Sequence, residues 1–313
     1  MTRVMKLNPF IILILFQCFV WSQNPKIIEE DLTINENIDG TLLIPNTNTK
    51  VPLAIIIPGS GPTDRNGNQN FLKNNSLKKL AEALTASDIA TFRFDKRIVK
   101  QIHRGNVDSN IKFEDFVIDV KSIIKYFAKN PAFTKIILIG HSQGSLVALL
   151  ADNDEVDGII SISGAGQSID KVLLEQISKM APGLSDEAEA TLKILKSGQT
   201  TTNYPQPLQS VFNYDLQPFM ISWIKYDPVK EITNIDKPIL VINGTKDLQV
   251  SISEAKMLDE AAPNSQIKII EGMNHIMFTI DGDDLVNSKS YNESSHAINQ
   301  ELIELIQKFI FSK

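Results

Sequence analysis

The sequence predicts an α/β fold with a mostly parallel central sheet, helices on both faces, an N-terminal antiparallel hairpin and an inserted helical cap. Three observations predict it. From Val51 onward, short apolar runs alternate with amphipathic segments, the pattern of βαβ units whose strands are covered on both faces. Before Val51, two β-rich segments flank an Asn-rich turn, as in a hairpin. Between about Gly166 and Lys230 the alternation stops and no convincing strand appears.

Ile27 to Ile34 and Ile38 to Pro45 form the hairpin. Val51-Pro-Leu-Ala-Ile-Ile-Ile57 reads as a buried strand running into a Pro-Gly-Ser-Gly loop. Asn75 to Ala86 has helical spacing, with Leu77, Leu80, Ala81 and Leu84 on one face and Asn75 or Ser76 as its cap. Ile89 to Phe94 is the next strand. Phe113 to Asn130 is amphipathic and ends before Pro131. Lys135 to Gly140 reads as strand, Ser145 to Ala151 as helix and Gly158 to Ser163 as strand. The inserted block holds helical stretches at Asp170 to Met180 and Asp186 to Lys196, then a Thr/Pro/Gln-rich stretch. Strands at Pro238 to Asn243 and Ile267 to Ile270 follow, with a helix around Ser253 to Ala261 between them, and a helix from about Ser295 to Phe311 closes the chain. The expected organisation is a core of residues 23–165 and 231–313 with a cap of residues 166–230. The cap aromatics Phe212, Tyr214, Phe219 and Trp223 are candidates either for a pocket wall or for packing onto the core.

A chain of 313 residues, 42% of them hydrophobic, can bury one large core plus a smaller insertion. Its net charge of −6 and the lack of any long basic run give no expectation of nucleic acid as a partner. The first residues differ in kind. Arg3 and Lys6 precede an apolar run from Phe10 to Trp21, interrupted by Gln17 and followed by small Ser22. This predicts a signal peptide over residues 1–22 and a periplasmic or secreted protein. The run is short of the ~20 apolar residues a membrane helix needs; an uncleaved anchor is the alternative. Lipid attachment at Cys18 is a weaker option, because Leu15-Phe16-Gln17 lacks the small residue expected before such a cysteine. Cys18 is the only cysteine, so the cleaved chain would use no disulfide and no thiol chemistry. No metal or organic cofactor is expected.

Gly140-His141-Ser142-Gln143-Gly144 follows a buried strand directly and opens a helix. A G-x-S-x-G pattern in that context predicts a nucleophile elbow, in which a sharp turn exposes the serine oxygen and only small neighbours clear the adjacent strand and helix. Ser142 is therefore the candidate nucleophile. A serine hydroxyl needs a base to take its proton. Of the four histidines, His141 lies inside the elbow, His103 in a polar loop and His296 at the start of the last helix. His275 follows the last strand, on the loop that a parallel sheet delivers to the same edge as the elbow. It is the candidate base. Asp247 follows the preceding strand and gives the chain order Ser142, Asp247, His275. A carboxylate there would hold the imidazole in one tautomer. Asp281, Asp283 and Asp284 break that order and read as a solvated acidic loop, while Asp157 and Asp227 are less well placed. The expected oxyanion hole combines the backbone N–H of Gln143 with that of Ser60, with Gly61 as fallback.

With these residues identified, the sequence resembles the α/β-hydrolase superfamily from about Val51 to the C-terminus. It looks most like the bacterial branch of esterase-like and serine-aminopeptidase-like hydrolases. Pro58-Gly-Ser-Gly-Pro-Thr-Asp-Arg-Asn-Gly67 resembles that branch's oxyanion loop, Phe92-Arg-Phe-Asp-Lys-Arg97 its strand-to-loop segment, and Tyr226-Asp-Pro228 its re-entry from the cap. Ile98 stands where the branch usually has glycine. The resemblance implies the α/β-hydrolase fold and cofactor-free hydrolysis of a carboxylic ester, or else of an amide or thioester. Serine aminopeptidase activity is one rival reading, and a non-catalytic binding protein on the same fold is another. Asp64, Arg65, Asp95, Lys96 and Arg97 are expected to form an ion-pair cluster beneath the site, as scaffold in preference to substrate binding.

Overall fold

The computed structural model describes residues 27–312. The expected signal peptide lies outside the described residues. Eight strands form one sheet: β1 (Ile27–Asn35), β2 (Ile38–Pro45), β3 (Val51–Ile57), β4 (Ala90–Phe94), β5 (Phe133–His141), β6 (Gly158–Ile162), β7 (Ile239–Gly244) and β8 (Ser265–Ile270). Their spatial order is β1-β2-β4-β3-β5-β6-β7-β8. The pairings from β4 through β8 are parallel, while the β1–β2 hairpin joins β4 antiparallel. β5 is thus interior and β8 is an edge.

The helices are α1 (Ser76–Thr85), α2 (Arg97–His103), α3 (Phe113–Phe127), α4 (Gln143–Ala151), α5 (Ile169–Met180), α6 (Ser185–Lys196), α7 (Gln209–Phe212), α8 (Gln217–Ile224), α9 (Pro228–Ile232), α10 (Ile252–Ala261), α11 (Asp284–Ser290) and α12 (Gln300–Phe311). Strand alternation sends side chains to two separate cores. On β3, Leu53, Ile55 and Ile57 pack with α3 and α4, whereas Ala54 and Ile56 pack with α1 and α12. On β5, Ile136 and Leu138 face the first core and Ile137 and Ile139 the second. Both faces are covered, which is why these strands read as unbroken apolar runs.

Between β6 and β7 the described residues hold helices and short turns, from α5 to α9, with no strand. Phe212 is fully buried and packs this block, Tyr214 is exposed, and Phe219 and Trp223 stand on α8.

Several expectations need correction. His103 ends helix α2 and does not lie in a loop. The last helix starts at Gln300, capped by the Asn299 side chain, so His296 precedes it. The acidic stretch at 281–284 is not merely a solvated loop, since the Asp283 carboxylate accepts from the N–H groups of Leu285 and Val286 and so starts α11. Asn75 does precede α1, but in a left-handed conformation (φ 57°) and without a side-chain capping bond.

Candidate active site

β5 ends in the elbow. Ser142 has φ 53° and ψ −121°, a region L-residues avoid unless surroundings enforce it. The enforcement is steric and polar. A Cβ on Gly140 would collide with the Gly144 carbonyl and Ser145 Cα, and one on Gly144 with the carbonyls of Ile57 and Pro58. The Ser142 N–H donates to the Ile162 carbonyl at 2.9 Å, fastening the turn to β6. Helix α4 begins immediately after, so its positive end points toward the serine.

Asp247 follows β7, and its side chain is fully buried. Its carboxylate accepts from the N–H groups of Gln249 (2.8 Å) and Val250 (2.9 Å) and from His275 Nδ1 (2.8 Å). Burial alone would push this carboxyl up; the imidazole beside it and the two N–H bonds outweigh that and hold it below its ordinary value. Because the carboxylate only accepts, the proton of the neutral ring sits on Nδ1, leaving His275 Nε2 as the free base. His141 contributes from inside the elbow. Its Nε2 donates to the His275 carbonyl at 2.7 Å, and burial, aided by the nearby His275 ring, pushes it down to about 4. It is therefore a neutral strut between the elbow and the loop bearing His275. No hydrogen bond joins Ser142 to His275, though both border the same cavity. Such bonds are commonly long before substrate binds.

The loop after β3 faces the elbow. The Ser60 carbonyl accepts from Thr63 Oγ1 and Gln69 Nε2, which pins the turn. The N–H groups of Ser60 and Gln143 donate to no acceptor among the described residues. Gly61 N–H likewise has no acceptor among the described residues.

Two cavities meet at Ser142, and Ser60 and Gly61 border both. One, of about 470 Å³, lies under the inserted helices and is mainly apolar, with Leu146, Val172, Leu173, Phe219, Met220 and Trp223 in its wall. The other, of about 340 Å³, lies on the His275 side and is the more polar of the two, with Thr63, Gln69, Asn74 and Gln249 beside Leu72, Leu77 and Ile276 in its wall. Among the described residues, neither lining includes Asp, Glu, Lys or Arg. Sequence reasoning missed Tyr291 and Gln249, since no local pattern marks a loop residue that only tertiary folding brings to a cavity.

The competing residues lie elsewhere. His296 pairs with Glu293 and stacks on Phe278. Asp157 accepts from the Ile136 N–H, and Asp227 approaches Lys230. The expected five-residue charge cluster divides. Arg65 binds Asp95 and Asp31, Arg97 binds Asp115 and Asp119, and Asp64 accepts from N–H groups of its own loop. Lys96 joins neither pair.

An eight-stranded, mostly parallel sheet with a serine elbow on an interior strand matches solved structures along nearly its whole length. Est1E from Butyrivibrio proteoclasticus superposes with a TM-score of 0.55 at 17% identity, covering 89% of this chain and 98% of its own. The Pyrococcus furiosus esterase Pf2001 also gives 0.55, at 16% identity, covering 91% of this chain and 92% of its own. The chain has the α/β-hydrolase fold. Within that fold, the family model for "Serine aminopeptidase, S33" matches residues 74–222, a span that includes Ser142 but stops short of Asp247 and His275. Esterase EstD of Thermotoga maritima is 24% identical over 291 residues, which cover 90% of this chain and 67% of the relative. The α/β-hydrolase expectation and the likeness to the esterase and serine-aminopeptidase branch are thus both upheld.

Proposed function

We propose that this esterase-like hydrolase is a serine carboxylic-ester hydrolase with Ser142 as nucleophile, His275 as base and Asp247 as its orienting acid. One observation carries the reading: the His275 ring, held on Asp247, borders the same cavity as Ser142 and Ser60, and Gln143 borders the second cavity that meets it at Ser142. His275 Nε2 takes the hydroxyl proton as Ser142 Oγ attacks the carbonyl carbon. The resulting oxyanion is stabilised by the N–H groups of Ser60 and Gln143. As the tetrahedral centre collapses, the ester C–O bond breaks and the imidazolium passes its proton to the departing alcohol. Water then repeats the sequence on the acyl-enzyme, giving the acid and free Ser142. The apolar cavity suits the acyl chain, and the more polar one suits the alcohol and the incoming water.

The serine aminopeptidase reading draws on the family model. The cavity linings favour esters, because an α-ammonium needs an acidic partner and neither lining offers a carboxylate. Turnover of p-nitrophenyl butyrate by the wild type, lost in Ser142→Ala with the circular dichroism spectrum unchanged, is the expected result. Retained turnover in that variant would sink the assignment, and faster release from aminoacyl amides than from esters would favour the peptidase.

A further inference from the structure

In the Phe92–Arg97 stretch, Asp95 and Arg97 form ion pairs, whereas Lys96 and Arg93 have no ion-pair partner among the described residues, and of these two it is Lys96 that reaches both the loop after β3 and the elbow. It is only 5% exposed. Its ammonium donates to the Gly59 carbonyl at 3.1 Å and to Gln143 Oε1 at 2.8 Å, and it lies 4.2 Å from the centre of the Phe116 ring. A buried cation without a carboxylate is costly, so what it touches is informative. Both polar partners belong to the oxyanion site. The Gly59 carbonyl is the other end of the peptide unit that carries the Ser60 N–H. Gln143 carries the second N–H. The flanking ion pairs of Asp95 and Arg97 fix the backbone on either side, and Lys96 N–H reaches the Thr63 carbonyl at 3.5 Å, tying the same loop again.

From this geometry we infer that Lys96 is a positioning residue of the oxyanion hole, holding the Ser60 and Gln143 N–H groups at a common point and polarising the Gly59–Ser60 peptide. A cation on a peptide oxygen withdraws electron density through the amide and strengthens its N–H as a donor. The effect grows as negative charge develops on the substrate oxygen, so it acts on the transition state more than on bound ester. Burial, which draws the ammonium down to about 7, reflects how little surrounds this charge apart from those two oxygens and the aromatic ring.

The inference rests on the ester-hydrolase reading, and one assay separates the two. Wild type, Ser142→Ala, Lys96→Met, Lys96→Arg and Gln143→Met are compared for kcat and KM on p-nitrophenyl butyrate and for inhibition by an alkylboronic acid, whose serine adduct mimics the tetrahedral oxyanion. Lys96→Met is expected to lower kcat about 10- to 100-fold with KM within about twofold, and to weaken boronate inhibition by a similar factor. Lys96→Arg should restore part of both. Gln143→Met keeps its backbone N–H and should show a smaller loss of the same kind; it decides the question if Lys96→Met does not fold. An unchanged kcat in the folded Lys96→Met, or in Gln143→Met if that variant must decide, overturns the inference. So does a loss seen in KM alone with boronate inhibition intact. Either result leaves the ester reading standing if Ser142→Ala is inactive. Absence of wild-type turnover overturns both.

Discussion

At the scale of single residues, the proposed acid is the position where geometry and sequence order can be tested against each other. Asp247 accepts from two backbone N–H groups as well as from His275, so Asn at this position meets three donors with one acceptor oxygen. It also disturbs the tautomer that leaves Nε2 free. Asp247→Asn is expected to lower kcat about 10⁴-fold, while Asp281→Asn and Asp284→Asn keep near wild-type rates; steady-state kinetics on the three variants decides it. The candidates Ser142, Asp247 and His275 could be picked out of the sequence because each follows an apolar run within a few residues, and a parallel sheet delivers such positions to one edge. Lys96 could not be. Its neighbours in sequence are charged, which suggests a single cluster, whereas consecutive residues leaving β4 point in different directions and only the middle one turns inward.

At the scale of elements, the long amphipathic helices and the buried strands could be read from their periods, and the short helices could not. α2 and α11 have seven residues each, too few to be stable without tertiary support. Their sequences carry polar groups on most sides, and the decisive contacts come from distant segments: Arg97 on α2 is held by Asp119 of α3, and Asn287 of α11 donates to the Lys246 carbonyl. The inserted helices are anchored in a comparable way. Buried Glu254 on α10 accepts from the N–H groups of Gly166 (2.8 Å) and Gln167 (2.9 Å) and from the Gln167 side chain, at the point where the chain leaves the sheet for α5. Glu254→Ala should cost ~1–3 kcal/mol per stranded N–H. Because α5 lines the apolar cavity, KM for long-chain esters should rise more than KM for acetate. Thermal melts together with a chain-length series would check both effects, and an equal rise across chain lengths would contradict the anchoring role.

At the scale of the whole molecule, acid tolerance follows from how carboxylates are held. Asp247, Asp39 and Asp170 each sit below the ordinary carboxylate value despite the upward push of burial. His275 is the main offset for Asp247, Lys100 and Thr33 for Asp39, and Lys196 for Asp170. A carboxyl lowered on folding contributes stability that is fully present above its unfolded value, about 3.9 for Asp. That contribution is lost as pH falls through the depressed folded value. Urea midpoints should therefore hold from pH 7 to about pH 5 and drop steeply below about pH 4, with a shallower drop in Asp170→Asn. An identical acid slope in that variant would remove Asp170 from the account.

The site also unites residues far apart along the chain. The elbow lies on an interior strand, the proposed base follows an edge strand, and the hydrogen bond joining their loops spans 134 residues. For a polypeptide made from its N-terminus, this separation is a delay. Ser142 and its tight turn are synthesised first, and the imidazole that would activate the serine follows only after β6, the inserted helices, β7 and β8. On the proposed mechanism, a partly made chain carries an inert hydroxyl, and hydrolytic competence arrives only when β8 docks and the sheet is complete.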